Sequence, residues 1–178
     1  VDATGTTEFS YTYDNLLESI SYPDEKTLFY SYSPEDNTVT KENYREEETV
    51  SHFDSLGREI AIYENEDAIA EFVYNGGTIE KAIYENGSTD YSYDNAMRLT
   101  GLTSSLTGAT GNIGEYSYEY DNRGNQTKKT EIKNGESLVT EYTYDALSRL
   151  SSVTEPDASV TGYSFDANGN ISAKSITH

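Results

Sequence analysis

The chain contains no cysteine and no tryptophan, and its 178 residues include only two histidines and three prolines. Without cysteine there are no disulfides and no thiolate metal sites. Two imidazoles with no thiolate fall short of the ligand set a zinc ion normally takes. Cations are also scarce: Lys and Arg total 12 against 32 Asp and Glu, a net charge of −20. A surface of that sign repels phosphate backbones and anionic lipid, which argues against nucleic acid as a partner and against membrane insertion. No apolar run approaches the ~18 residues that a membrane-spanning helix needs. The first residue is Val1 rather than Met, so the chain reads as a mature product or as a piece of something longer.

Tyrosine is what the chain has in excess, with 17 residues against 5 phenylalanines. The tyrosines fall into a pattern, aromatic-x-aromatic-Asp. It occurs as Tyr11-Thr12-Tyr13-Asp14, Tyr91-Ser92-Tyr93-Asp94, Tyr118-Glu119-Tyr120-Asp121, Tyr142-Thr143-Tyr144-Asp145 and Tyr163-Ser164-Phe165-Asp166. Weaker copies stand at Tyr30-Ser31-Tyr32-Ser33, Ser51-His52-Phe53-Asp54 and Phe72-Val73-Tyr74-Asn75. The Asp-like positions 14, 33, 54, 75, 94, 121, 145 and 166 are spaced by 19, 21, 21, 19, 27, 24 and 21 residues, a period near 21. Self-similarity at such a period marks an array of supersecondary units, each packed on its neighbours.

Each copy has a local physical reading. Residues i and i+2 of a strand share a face, so the two aromatics point the same way. The Asp that follows can accept a hydrogen bond from the backbone two residues on and so begin a turn. Gly57, Gly124 and Gly169 lie three residues after their Asp, where a type I turn closed by a left-handed residue and a bulge wants glycine. Arg58, Arg98, Asn125, Arg149 and Asn170 then open the next strand. A second turn signal falls midway between copies. Asn86-Gly87 and Asn134-Gly135 read as type I′ hairpin turns, and Pro23-Asp24 and Pro156-Asp157 take the same place elsewhere.

The expected fold is all-β: an antiparallel meander of about eight β-hairpin repeats, roughly sixteen strands, with essentially no helix. Strand twist should wind such a ribbon into a curl. One face should carry tyrosine rings stacked as cross-strand neighbours, and the other should be polar and acidic. Residues 1–178 read as a single repeat domain that starts and ends in mid-repeat. The longest spacing, which contains Thr103 to Gly114, reads as an enlarged outer loop. Its GATGNIG run has no following Lys and no strand-to-helix context, so it does not qualify as a phosphate loop.

The segments YEYDNRGN, YTYDALSRL and YSFDANGNI, with FDSLGREI and YDNAMRL, resemble the YD repeat of the RHS (rearrangement hotspot) family. The resemblance runs from Tyr11 to about Ile171. It implies a secreted or cell-surface protein whose hairpins wind into the wall of a hollow shell, as in bacterial toxins and teneurins. Read this way, the chain is a non-enzymatic structural protein. It either self-associates through its sheet edges as a filament subunit or forms a wall segment of a larger shell. Its partners are then copies of itself or further repeats of the same polypeptide. Two alternatives are a module that binds surface glycans and a fragment of a cargo-encapsulating toxin. The residues expected to hold the repeat together are Tyr11, Tyr13, Asp14, Phe53, Asp54, Gly57, Tyr91, Tyr93, Asp94, Tyr118, Tyr120, Asp121, Gly124, Tyr142, Tyr144, Asp145, Tyr163, Phe165, Asp166 and Gly169.

Catalysis reads poorly here. An acid that recurs at the same turn in copy after copy is explained by turn capping, whereas a glycosidase needs one unique carboxylate pair in a cleft. Ser51, His52 and Asp54 sit too close along one strand to make a triad. No cofactor is expected. Calcium is the one ion whose oxygen ligands are on offer, at Asp121-Asn122-Arg123-Gly124-Asn125 and Asp166-Ala167-Asn168-Gly169-Asn170. Three Asn-x-Ser/Thr tripeptides, beginning at Asn86, Asn125 and Asn170, match the glycosylation acceptor pattern.

Overall fold

The alternating segments fold as strands because every second residue must find either packing or solvent. The computed structural model describes residues 5–178 and divides into two compact units, Val1–Asn86 and Gly87–His178. All regular elements among the described residues are β-strands, sixteen in number. The first unit holds β1 (Glu8–Tyr11), β2 (Leu17–Ser21), β3 (Thr27–Ser33), β4 (Thr38–Glu42), β5 (Glu48–Phe53), β6 (Glu59–Glu64), β7 (Asp67–Asn75) and β8 (Thr78–Tyr84). The second holds β9 (Gly87–Tyr93), β10 (Leu99–Leu106), β11 (Asn112–Tyr120), β12 (Gln126–Lys133), β13 (Glu136–Tyr144), β14 (Leu150–Thr154), β15 (Val160–Phe165) and β16 (Ile171–Thr177). Within each unit every strand pairs antiparallel with the strand before it in sequence, so each is a simple meander.

The connections alternate between two edges. The inner edge carries the turns after the aromatic pairs, and the outer edge carries the rest. At six inner-edge turns the last aromatic of a strand pairs with the residue six positions on, beside a one-residue bulge, whereas Tyr32 pairs with Val39 and Tyr74 with Ile79. Tyr120 pairs with Gln126, Tyr144 with Leu150 and Phe165 with Ile171. At the outer edge Asn65-Glu66 and Asn134-Gly135 are two-residue turns with positive φ at both positions, the type I′ signature.

Four expectations are revised. The first copy lies two residues earlier than its letters suggest. Tyr11 pairs with Leu17 beside the bulge, and Leu16 N–H donates to Thr12 Oγ1 at 3.1 Å. Thr12 therefore holds the Asp position, while Tyr13, 103% exposed, and Asp14 lie within the turn itself. Sequence could not separate Phe9-x-Tyr11-Thr12 from Tyr11-x-Tyr13-Asp14, because both place two rings on one face. Secondly, Asn86-Gly87 is not a type I′ turn. Gly87 lies in β9 outside the left-handed region, and a Cβ there would stand 2.3 Å from the Ser105 carbonyl oxygen. Its glycine serves close approach, not a turn. Thirdly, the enlarged loop shrinks to residues 107–111, because β10 and β11 extend into the expected loop from both sides. The fourth revision concerns the rings: at Tyr74, Tyr120 and Phe165 the partner is a cation, as described below.

Neither unit has a conventional core. The buried apolar side chains are Ala61, Ala70, Ala82 and Val153, and no large side chain among the described residues is fully buried. A single sheet layer covers its residues only by the neighbours to either side. Stability must therefore come from strand pairing and from whatever ties one hairpin to the next.

Candidate functional site: a recurring inner-edge clasp

The recurring Asp works as a turn post with both carboxylate oxygens engaged. Asp54 Oδ1 accepts from Leu56 N–H at 2.8 Å and Arg58 N–H at 3.0 Å, while Oδ2 accepts from Arg58 Nε at 2.7 Å. Asp94 repeats this with Ala96 N–H at 2.9 Å, Arg98 N–H at 3.0 Å and Arg98 Nε at 2.7 Å. Asp145 does the same with Leu147 N–H at 2.8 Å, Arg149 N–H at 3.0 Å and Arg149 Nε at 2.7 Å. Where Asn replaces Arg, the amide takes over. Asn125 Nδ2 donates to Asp121 Oδ2 at 2.8 Å, and Asn170 Nδ2 donates to Asp166 Oδ2 at 3.2 Å.

These donors hold the carboxyls below the ordinary Asp value of 3.8. The Arg58 side chain is the main cause at Asp54 and the Asn125 amide at Asp121. The backbone N–H of residue i+4 is the main cause at Asp94, Asp145 and Asp166. Among the described residues no three Asp, Glu, His or Cys side chains converge as a metal site.

Glycine or a strained substitute closes each turn. Gly57 (φ 75°), Gly124 (φ 89°) and Gly169 (φ 87°) adopt the left-handed conformation, in which a side chain is penalised. At the equivalent positions of the Asp94 and Asp145 turns stand Met97 (φ 60°) and Ser148 (φ 60°), which bear that penalty.

The same Arg reaches from its own turn to the next repeat. The Arg58 guanidinium lies over the Tyr74 ring at 4.3 Å, Arg98 over Tyr120 at 4.7 Å and Arg149 over Phe165 at 4.4 Å. Arg58 Nη1 donates to the Gly76 carbonyl, Arg98 Nη1 to the Asp121 carbonyl at 3.1 Å and Arg123 Nη1 to the Ala146 carbonyl at 2.8 Å. Lys129 over Tyr116 and Lys174 over Tyr163 follow the same preference at 5.9 and 6.0 Å. In the first unit, His52 meets Tyr63 edge-on at 5.0 Å.

Sequence reasoning missed the bond that runs the other way. The second aromatic of a copy donates its hydroxyl to a backbone carbonyl of the preceding repeat. Tyr32 bonds Leu17 O at 2.9 Å and Tyr74 bonds Glu59 O at 2.8 Å. Tyr120 bonds Leu99 O and Tyr144 bonds Gln126 O, both at 2.8 Å. Each acceptor residue is the strand partner of the preceding copy's second aromatic: Tyr11 with Leu17, Phe53 with Glu59, Tyr93 with Leu99 and Tyr120 with Gln126. The slot's six Tyr to two Phe is no richer in Tyr than the chain's 17 to 5, so the letters carried no distinct signal for this bond. Desolvation raises the phenol pKa of Tyr144, and also that of Tyr118 on the same face.

The other expected residues support this edge from within the strands. Tyr91 lies opposite Leu102, Tyr118 opposite Lys129, Tyr142 opposite Val153 and Tyr163 opposite Lys174.

A directional clasp therefore joins hairpin to hairpin, with arginine reaching forward and tyrosine reaching back. It defines a class of protein, a β-hairpin array pinned along one edge. Comparison with known proteins shows what the array is similar to. The family model Teneurin YD-shell matches residues 103–178. The TcdB2-TccC3-TEV crystal structure is similar over 94% of this chain and 11% of that one, with a TM-score of 0.72 at 16% identity. The TcdB2-TccC3 crystal structure also matches 94% of this chain and 11% of that one, with a TM-score of 0.73 at 16% identity. The Photorhabdus luminescens Tc holotoxin pore, in its TccC3-D651A form, matches 99% of this chain and 9% of that one, with a TM-score of 0.59 at 17% identity. Comparison with curated protein sequences yields no match. The described fold is thus that of these solved structures, residues 103–178 match the Teneurin YD-shell model, and the chain spans about a tenth of the solved chains it matches.

Proposed function

We propose that the chain is a non-enzymatic wall segment of an extracellular or cell-surface shell built from many more such repeats. The observation that carries this reading is the clasp. The groups that recur, Asp, Arg or Asn, and the Tyr hydroxyl, are spent on joining one hairpin to the next. A structure that invests its recurring chemistry in continuity is suited to being a wall. A toxin cargo inside that wall is the finer version of the same reading.

Self-association is the competing use of the same edges. β16 pairs with β15 on one side and is exposed at all seven positions, including Ile171 at 61% and Ile176 at 58%. A second copy of the chain can add a strand there, as exposed sheet edges do. Negative-stain electron microscopy of the full-length gene product tests the choice. The wall reading expects hollow particles of discrete size at every concentration. Open filaments that lengthen with concentration would replace it with the subunit reading.

Glycan binding has its own supporting observation. Two outer turns form a cleft of about 400 Å³ lined by Tyr22, Tyr44, Asp24, Lys26 and Asn43, where rings and planar polar groups stand together. A glycan array probed with wild type and with Tyr22→Ala/Tyr44→Ala tests it. No signal above that double variant removes the reading.

A further inference from the structure

Three tripeptides of the chain match the N-glycosylation acceptor pattern, and the fold treats them differently. Two have their nucleophile built into the clasp. Asn125 Nδ2 donates to Asp121 Oδ2 at 2.8 Å and to Ser148 Oγ at 3.2 Å, which occupies the atom a glycan would need. Its backbone N–H donates to Asp121 Oδ1 at 2.9 Å, so the residue is held at two points. Asn170, which is exposed, is held by its Asp alone, with Nδ2 on Asp166 Oδ2 at 3.2 Å and N–H on Oδ1 at 2.9 Å. Asn86 is different. It is exposed, as Asn170 is, but it stands in the two-residue connection after β8, beside the exposed Glu85 and away from the Asp posts of the inner-edge turns. Ser88, the hydroxyl residue of its tripeptide, has its Oγ 3.4 Å from Ser105 Oγ, at the long limit of a hydrogen bond.

We propose that Asn86 is a glycosylation site of the folded chain, and that the clasp protects Asn125 and Asn170 from the same modification. In the reaction, Asn86 Nδ2 forms a bond to the anomeric carbon of a diphosphate-activated hexose. The bond from that carbon to the diphosphate breaks, the diphosphate leaves with the bonding electrons, and one amide proton passes to a base on the transferase. A sugar at Asn86 projects from the outer edge and leaves the inner-edge bonds intact. A sugar on Asn125 would require Nδ2 to release both partners.

The test uses an Asn-x-Ser/Thr-specific N-glycosyltransferase with UDP-glucose. It acts on the intact folded chain and, in parallel, on a tryptic digest of the same chain, and both are read by peptide mass mapping. In the folded chain, glucosylation at Asn86 is expected to be at least roughly tenfold faster than at Asn125 or Asn170, because those two require local opening first. In the digest that preference should disappear, and Asn86→Gln should leave the folded chain without its fast-added hexose. Glucosylation of folded Asn125 or Asn170 at the Asn86 rate would overturn the proposal. So would an Asn86 left bare in either preparation.

Discussion

At the scale of single residues, the tyrosine hydroxyl is the sharpest test of the clasp. Replacing Tyr120 or Tyr144 with Phe removes one hydrogen bond and little else, leaving the Leu99 or Gln126 carbonyl without its donor. Each change should destabilise by about 1 kcal/mol, read as a lower urea midpoint at unchanged slope. The reverse change is available at Phe165. Leu150, the strand partner of Tyr144, stands where the acceptor stands in other repeats, so Phe165→Tyr should raise the midpoint. The turn glycines make a second prediction, of opposite signs at neighbouring repeats. Gly124→Val and Gly169→Val should each cost about 1–2 kcal/mol, because a β-branched residue resists positive φ. Met97→Gly and Ser148→Gly should stabilise by about 0.5–1 kcal/mol by relieving the same strain. Thermal melting of the four variants reads both signs in one series.

At the scale of the hairpin, the Asp posts make the fold acid-sensitive. Each of Asp54, Asp94, Asp121, Asp145 and Asp166 has a folded-state pKa below its ordinary 3.8. An acid with a depressed pKa contributes stability that is fully present above the ordinary value. That stability is lost as pH falls through the folded-state value. The urea midpoint should therefore be flat near neutrality, as far as these groups are concerned, and should fall on acidification below about pH 4. Asp94→Asn should flatten that fall in proportion to its share, and a variant with the wild-type acid profile would show that the post contributes nothing.

The hairpin is also the scale at which the sequence was most readable. Period, strand alternation and the Asp–Gly turn are all local, and local patterns are written in neighbouring letters. The clasp is not local. Tyr120 reaches Leu99, and Arg98 reaches Asp121, only after the bulge beside each turn has fixed the register. The same dependence on register explains the first copy, where Thr12 and Asp14 compete for one role and only strand pairing decides between them. The expectation of ring-on-ring stacking failed for a related reason. Rings one repeat apart are separated by an intervening strand, and the arginine that opens that strand stacks on the ring of the strand beside it.

At the scale of the whole molecule, the account rests on continuity. Each unit is a single exposed layer held by its own clasps, and the chain covers about a tenth of the solved chains it matches. A wall needs repeats whose edges are met by further repeats. Cryo-electron microscopy of the full-length gene product, at a resolution that traces strands, identifies the neighbour of β16 directly. The account predicts a strand of the same polypeptide, continuing the antiparallel meander within a curved wall. A strand contributed by a second polypeptide, or an edge open to solvent, would contradict it.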